Sequence, residues 1–313
     1  PMDSPPNREM PLSLIDEVAY QASEAGVKNF VLTGGEPLLH SEFAEVLKTL
    51  DNYDFHVKMA TNGTKINDKI MTLLTAHNVK SLQVSVDTLD KERYQSLRGT
   101  NDLEKIVENI RKLVDCGSIH VAVSSVANKI VEHDLSALLL FCFDEDIDTY
   151  TVMKPTPIHS GAHNRNLIVS EEEYISIMDK LIEDFYSYTN HALLELDYPY
   201  VLGSYLHRKW QDKIEINLTS CEAGRNSLTV SVSGQVTPCV CLETSEFCFG
   251  DVRSTNLKDL WNSEFLDIFR GKYDNEGCKE CSKYTMCLGG CRALTFVEKG
   301  EINTKDPFCA FWN

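Results

Sequence analysis

Cys278-Lys279-Glu280-Cys281-Ser282-Lys283-Tyr284-Thr285-Met286-Cys287-Leu288-Gly289-Gly290-Cys291 carries four thiols separated by two, five and three residues. A fifth, Cys309, comes after seventeen more residues, and upstream Cys221 and Cys239 flank Gly234 in a C-x12-G-x4-C series. Seven of the chain's eleven cysteines therefore form one run of soft ligands on short loops, a pattern suited to holding metal. A lone C-x2-C is common, whereas a fixed series of this length is specific. Disulfides explain it poorly. The sequence shows no signal peptide and no apolar run of membrane length, so a cytoplasmic location is expected, where thiols stay reduced. Structural zinc takes four ligands per ion, so seven leave one site short or one thiolate spare; zinc and iron–sulfur clusters both remain open on spacing alone.

The segment from about 213 to 313 resembles the SPASM domain, the auxiliary-cluster extension of many radical S-adenosylmethionine (SAM) enzymes. That family's pattern, C-x9-15-G-x4-C, a gap, then C-x2-C-x5-C-x3-C-x17-C, is met at every spacing. The resemblance implies two 4Fe-4S clusters, an outer one on Cys278, Cys281, Cys287 and Cys309 and an inner one on Cys221, Cys239 and Cys291. Two such clusters need eight ligands and the motif supplies seven. Relatives often add a cysteine shortly before the first, but none lies between Cys142 and Cys221 here. Cys241, Cys248, Glu215 and an open iron that takes a substrate thiolate are the alternatives for the eighth position.

Upstream, residues 12 to 190 alternate amphipathic helical stretches with short apolar runs, the signature of βα units and a parallel sheet. Strands are expected at about 28–33, 55–61, 80–87, 118–126 and 147–154, and helices at about 12–25, 41–51, 67–77, 101–116, 131–143 and 172–189. The first strand ends in Thr33-Gly34-Gly35-Glu36-Pro37. An ordinary strand-to-helix turn would account for it, glycine supplying unusual dihedrals and proline opening a helix. A phosphate loop would not, because Glu36 repels phosphate and no Lys-Ser/Thr follows. Two side-chain-free residues beside a carboxylate suit an ammonium group. The motif resembles the radical SAM GGEP signature, which implies that Gly34, Gly35, Glu36 and Pro37 contact the methionine end of SAM.

The second strand ends in Ala60-Thr61-Asn62-Gly63, and the third reads Ser81-Leu82-Gln83-Val84-Ser85-Val86-Asp87. With a period of two, Gln83, Ser85 and Asp87 share one face and Leu82, Val84 and Val86 the other. A polar row in a parallel sheet must line something wet or liganded. A tight turn at Asn62-Gly63 and helix caps at Ser85 and Asp87 are the plainer explanations. By resemblance, Ser85, Asp87, Asn62 and Ser124 hold the ribose and carboxylate of SAM. Cys116 and Cys142 fall on helical patterns away from the series and read as core thiols. His159 and His163 lie in a loop, where a spacing of four carries no facial geometry for a metal.

The resemblance implies a partial (β/α)6 radical SAM barrel, an α/β fold, over 1–190, a bridge over 191–220 containing Tyr198-Pro199-Tyr200 and Trp210, and a loop-rich cluster domain over 221–313. It also implies a C-x3-C-x2-C loop holding the catalytic 4Fe-4S cluster. No such triplet precedes Gly34, so that loop and the first barrel strand are expected upstream of Pro1. The activity implied is reductive SAM cleavage followed by hydrogen abstraction from a peptide, giving a thioether or other crosslink in a ribosomally made peptide. Anaerobic sulfatase maturation to formylglycine is the alternative; a non-catalytic iron–sulfur electron carrier or peptide-binding scaffold is the alternative of another class. Flavodoxin or ferredoxin is the expected electron donor. Asp and Glu number 47 against 30 Lys and Arg, a net charge of −17, which argues against nucleic acid and favours a basic or neutral peptide. No membrane partner is expected.

Overall fold

The computed structural model describes residues 9–156, 165–188, 193–196, 206, 209–210, 221–272, 278, 280–282, 284–307 and 309. The chain divides into two compact units, one taking in Ile15–Pro155 and Leu167–Asp197 and the other the remaining residues.

The first unit is a parallel sheet of six strands in sequential order: β1 Asn29–Leu32, β2 His56–Thr61, β3 Val79–Ser85, β4 His120–Val126, β5 Thr149–Met153 and β6 Leu193–Leu196. Helices fill the crossovers: α1 Leu12–Glu24 precedes β1, α2 Phe43–Asp51 and α3 Asp68–Ala76 follow β1 and β2, and α4 Lys91–Arg98 with α5 Leu103–Cys116 join β3 to β4. Then α6 Leu135–Asp144 and α7 Glu171–Ser187 follow β4 and β5. Parallel pairing requires such crossovers, and they cover one sheet face. On that face Met59, Leu82, Val84, Val123, Tyr150 and Val152 are at most 2% exposed. In α5 the buried residues Leu103, Ile106, Ile110 and Leu113 recur at helical spacing, which makes one apolar stripe. Each such side chain contributes about 1.5–3 kcal/mol by leaving water.

Two elements differ from the sequence reading. The strand β6 lies where a bridge was expected; its four residues are half exposed, too short and too mixed for a periodic signal. The helix α4 is almost entirely polar and buries only Tyr94, so no apolar stripe announces it. Its ends are nevertheless written in the sequence, because the Asp90 side chain accepts from the Arg93 N–H and Gly99 closes the helix at φ 71°. Cys116 is exposed rather than a core thiol: it ends α5, with its sulfur 3.1 Å from Ser118 Oγ. Cys142 is fully buried, as expected, and burial pushes its thiol pKa up. Glu215, His159, His163 and Tyr198-Pro199-Tyr200 lie outside the described residues, while Trp210 is buried.

The second unit has little regular structure. A three-stranded antiparallel sheet joins β7 Thr229–Val230, β8 Gln235–Thr237 and β9 Gly250–Asp251. One apolar core cluster there is Ala223, Leu242, Phe247, Leu266, Phe269 and Ala293, against which Cys221, Cys239, Cys241 and Cys291 pack.

Candidate functional site

The strand-end residues meet at the tips of β1 to β4. Gly34 has φ +133°, a conformation that favours glycine, and both Gly34 and Gly35 are exposed. Pro37 opens a short 3-10 turn, Pro37–Leu39, that Glu36 caps. One Glu36 oxygen, Oε1, accepts from Thr61 Oγ1 at 2.7 Å and from the Leu38 N–H at 3.2 Å; Oε2 accepts from the Asn62 N–H at 2.7 Å. The motif carboxylate therefore ties the tip of β1 to the tip of β2. An ionised carboxylate offers about four acceptor sites, so roughly one remains for an ammonium.

Asn62 takes the turn role: its Oδ1 accepts from Thr64 N at 2.9 Å and Thr64 Oγ1 at 2.7 Å. Gly63 follows at φ +76°, and a Cβ there would stand 2.8 Å from Val84 Cγ1. Its carbonyl accepts from the buried Asn109 amide of α5 at 2.9 Å, so β2, β3 and α5 close on a residue with no side chain.

Ser85 pairs laterally with Ser124, Ser124 with Thr151, and Thr151 with Glu195, a polar row across four strands. Residues in register on a parallel sheet face the same side. Thr151 Oγ1 donates to Glu195 at 3.1 Å, whereas the Ser124 hydroxyl is buried and has no hydrogen-bond partner. An orphaned buried hydroxyl costs free energy, and this one fits the polar group of a ligand. Thr151 and Glu195 were not singled out from sequence; their register with Ser85 becomes visible only once β5 and β6 are placed. Asp87 is engaged otherwise. Its Oδ2 receives Arg98 Nη2 at 2.6 Å and Nε at 2.9 Å, and its Oδ1 accepts from the Val126 N–H at 2.9 Å. This buried carboxylate clamps the tip of β3 to β4 and to the end of α4, a role the sequence hid because α4 was not visible.

In the second unit eight of the nine thiols influence one another electrostatically in two sets of four, with Cys248 in neither. Burial pushes Cys291 up to about 12, and its neighbours Cys221 and Cys241 act in the same direction. Cys239 is raised by its hydrogen bond with Cys241, then by burial and by Cys221. In the other group, burial pushes Cys287 up to about 11, with Asp306, Cys278 and Cys309 adding to it. Cys278 is raised by burial and then by Cys309, and Cys309 by burial, with Asp306 and Cys281 pushing the same way. Cys278, Cys281, Cys287 and Cys309, the outer set the motif implies, thus act on one another electrostatically. Cys221, Cys239 and Cys291 form another such set, joined by Cys241.

Both groups fit iron–sulfur clusters. Crowded, desolvated thiols hold their protons unless a cation replaces them, which is what metal binding does. Among the described residues no three His, Cys, Asp or Glu side chains converge on a single ion. A cubane places each ligand on a separate iron and asks for thiolates spread around a larger body. Arg292 points the same way: it is 2% exposed, its Nη1 donates to the Ile302 and Thr304 carbonyls at 2.6 and 3.1 Å, and its Nε and Nη2 have no partner. A buried cation with two idle donors suits an anionic cluster nearby, and it is Arg292 that pulls Cys278 downward.

Comparison with known proteins agrees with this chemistry. Residues 2–142 match the radical SAM superfamily profile, and residues 221–282 match the iron-sulfur cluster-binding domain called SPASM. Residues 2–142 thus form a radical SAM domain and residues 221–282 a SPASM domain, for which SAM and 4Fe-4S clusters are the cofactors. It is 23% identical over 300 residues to the AdoMet-dependent heme synthase of Nitratidesulfovibrio vulgaris, covering 92% of this chain and 80% of that protein. It is 22% identical over 304 residues to the PqqA peptide cyclase of Granulibacter bethesdensis, covering 96% and 77%. In fold it is similar to Streptococcus suis SuiB at TM-score 0.78 and 17% identity, covering 96% of this chain and 71% of SuiB. SuiB has also been solved with S-adenosylmethionine and with the precursor peptide SuiA.

Proposed function

We propose that the protein is a radical SAM peptide maturase that installs a thioether or another crosslink in a ribosomally made peptide. The observation that carries this reading is the pair of four-thiol groups in a radical SAM protein, since auxiliary clusters serve reactions that oxidise the substrate overall. Bound SAM, cleaved at a reduced 4Fe-4S cluster, supplies the carbon radical that removes hydrogen from an unactivated carbon. This chain's residues position it. The exposed backbone at Gly34 and Gly35, shaped by Pro37, and the remaining acceptor site of Glu36 receive the methionine ammonium. Ser85 and the unpartnered Ser124 hydroxyl serve the ribose and carboxylate, with Asn62 shaping the turn beside them. Asp87 acts as a positioning residue through Arg98 and Val126. The seven motif cysteines hold the auxiliary clusters, and a flavodoxin or ferredoxin supplies the electron.

Relatives named for peptide cyclisation and the peptide-bound SuiB structure support a peptide substrate. A second reading, heme synthesis, is favoured by the name of a relative of equal similarity. The charge of −17 weighs against it, because tetrapyrrole precursors are themselves polycarboxylates. Sulfatase maturation keeps the same chemistry on a Cys or Ser side chain. The test is incubation of the full-length native protein, without oxygen, with SAM, a reductant and any small peptide found encoded beside its gene. 5'-Deoxyadenosine together with a peptide lighter by a pair of hydrogens is expected. Turnover of a tetrapyrrole or of a sulfatase peptide, with the neighbouring peptide untouched, would overturn it.

A further inference from the structure

We infer that Cys241 is the fourth protein ligand of the inner cluster, completing the set Cys221, Cys239 and Cys291. The inference deepens the reading above and rests on it for the identity of the group held. The series C-x12-G-x4-C supplies two inner ligands and Cys291 a third, so the inner site is one thiol short by sequence. The fold supplies the fourth. Cys241 stands two residues after Cys239 in the 3-10 turn Val240–Leu242, which is closed by Leu242 N–H donating to the Cys239 carbonyl at 3.0 Å. Leu242, 2% exposed, pins this turn into the apolar core of the unit. All four sulfur-bearing residues pack on that same core.

Each is fixed by its own backbone. The loop of Cys221 is tied to that of Cys239 by Gly224 N–H donating to the Pro238 carbonyl at 3.2 Å. Cys291 caps the helix Arg292–Lys299, its sulfur accepting from Leu294 N–H at 3.4 Å while its own N–H donates to the Asp306 carboxylate at 2.7 Å. Three backbone segments therefore hold four thiols around one apolar core. Of the other candidates, Glu215 lies outside the described residues, and Cys248 directs its thiol to the Gly250 carbonyl at 3.4 Å and is not among the thiols on this core. A cubane held by three thiolates leaves one iron for solvent or substrate, whereas four leave none. With Cys241 in place, a substrate sulfur does not become a ligand of the inner cluster, and the crosslinking proposed above does not depend on an open iron.

The experiment uses the full-length native protein, wild type and the variants Cys241→Ala, Cys241→Ser and Cys248→Ala, purified without oxygen and followed by iron and sulfide analysis, Mössbauer and EPR. Cys248→Ala should keep the wild-type iron count and spectra. Cys241→Ala should lose the inner cluster or convert it to a three-iron form while the outer signal stays, and Cys241→Ser should retain the iron with a shifted inner signal. Wild-type iron and spectra in Cys241→Ala would overturn the assignment. A second measurement needs no variant: 2-mercaptoethanol added to the wild-type protein should leave the inner signal unchanged, and a new thiolate-bound signal would show an open iron and overturn it equally. Failure of the peptide assay with these iron results intact would sink the proposed substrate and leave Cys241 standing.

Discussion

The two units of this chain are built on opposite principles. The N-terminal sheet is held by a ladder of parallel strands and a dry apolar face on which Leu82, Val84 and Val123 have no exposure at all. The cysteine-bearing unit has strands of two or three residues, and four of its cysteines pack against its apolar core cluster. So little regular structure seldom stabilises a small unit unaided, and bound metal is a common supplement. The difference teaches that, with clusters bound as proposed, the cysteines of the second unit serve as its framework as well as its chemistry.

The strongest way to break this contrast is to remove the metal. Chelation of the clusters, or the substitution Cys281→Ala, should unfold much of the second unit while leaving the sheet. Limited proteolysis and circular dichroism should show cleavage after about residue 220 with strand and helix signal retained from the first unit. Simultaneous loss of both units, or full iron content in Cys281→Ala, would refute it. The converse is Gly63→Ala, which forces a Cβ to within 2.8 Å of Val84 at a φ of +76°. Overpacking and the left-handed backbone together should cost about 2–4 kcal/mol, read as a lower urea midpoint of the sheet with auxiliary-cluster absorption unchanged.

Glu36→Ala should act on neither framework strongly but on the site. Losing the charged acceptor is expected to weaken SAM binding roughly tenfold to a hundredfold by titration calorimetry, again with cluster absorption intact. Unchanged affinity would remove Glu36 from the ammonium site. The smallest effect belongs to the surface pair Arg111–Glu145, joined by contacts of 2.6 and 2.8 Å. The hydrogen bond from Arg111 holds the Glu145 carboxyl below its ordinary range. A depressed acid adds stability above its unfolded pKa and loses it as pH falls through the folded one, so Glu145→Gln should lower the stability of the sheet only slightly at neutral pH, be silent in strong acid, and thereby flatten the acid limb of the stability curve.

What the sequence disclosed follows the same divide. Strands β1 to β5 were readable because each is an apolar run bounded by turn residues, and α5 because its stripe recurs at helical spacing. The polar α4 and the short β6 were not, and with them went the partner of Asp87 and the neighbour of Thr151. Spacing singled out seven cysteines, since their order is a property of the chain. It did not choose among Cys241, Cys248 and Glu215, because that choice depends on which loop the apolar core of the second unit draws in. The engagement of Glu36 was equally invisible, for its partners Thr61 and Asn62 lie a full βα unit away.

That engagement has a consequence for affinity. Because every tie on Glu36 is made to this chain's own backbone and hydroxyls, the Gly34-Gly35-Glu36 loop keeps its shape whether or not anything is bound. An arriving ligand meets a cradle already formed and loses little free energy to ordering it, so the loop contributes to binding through preorganisation more than through the number of its contacts.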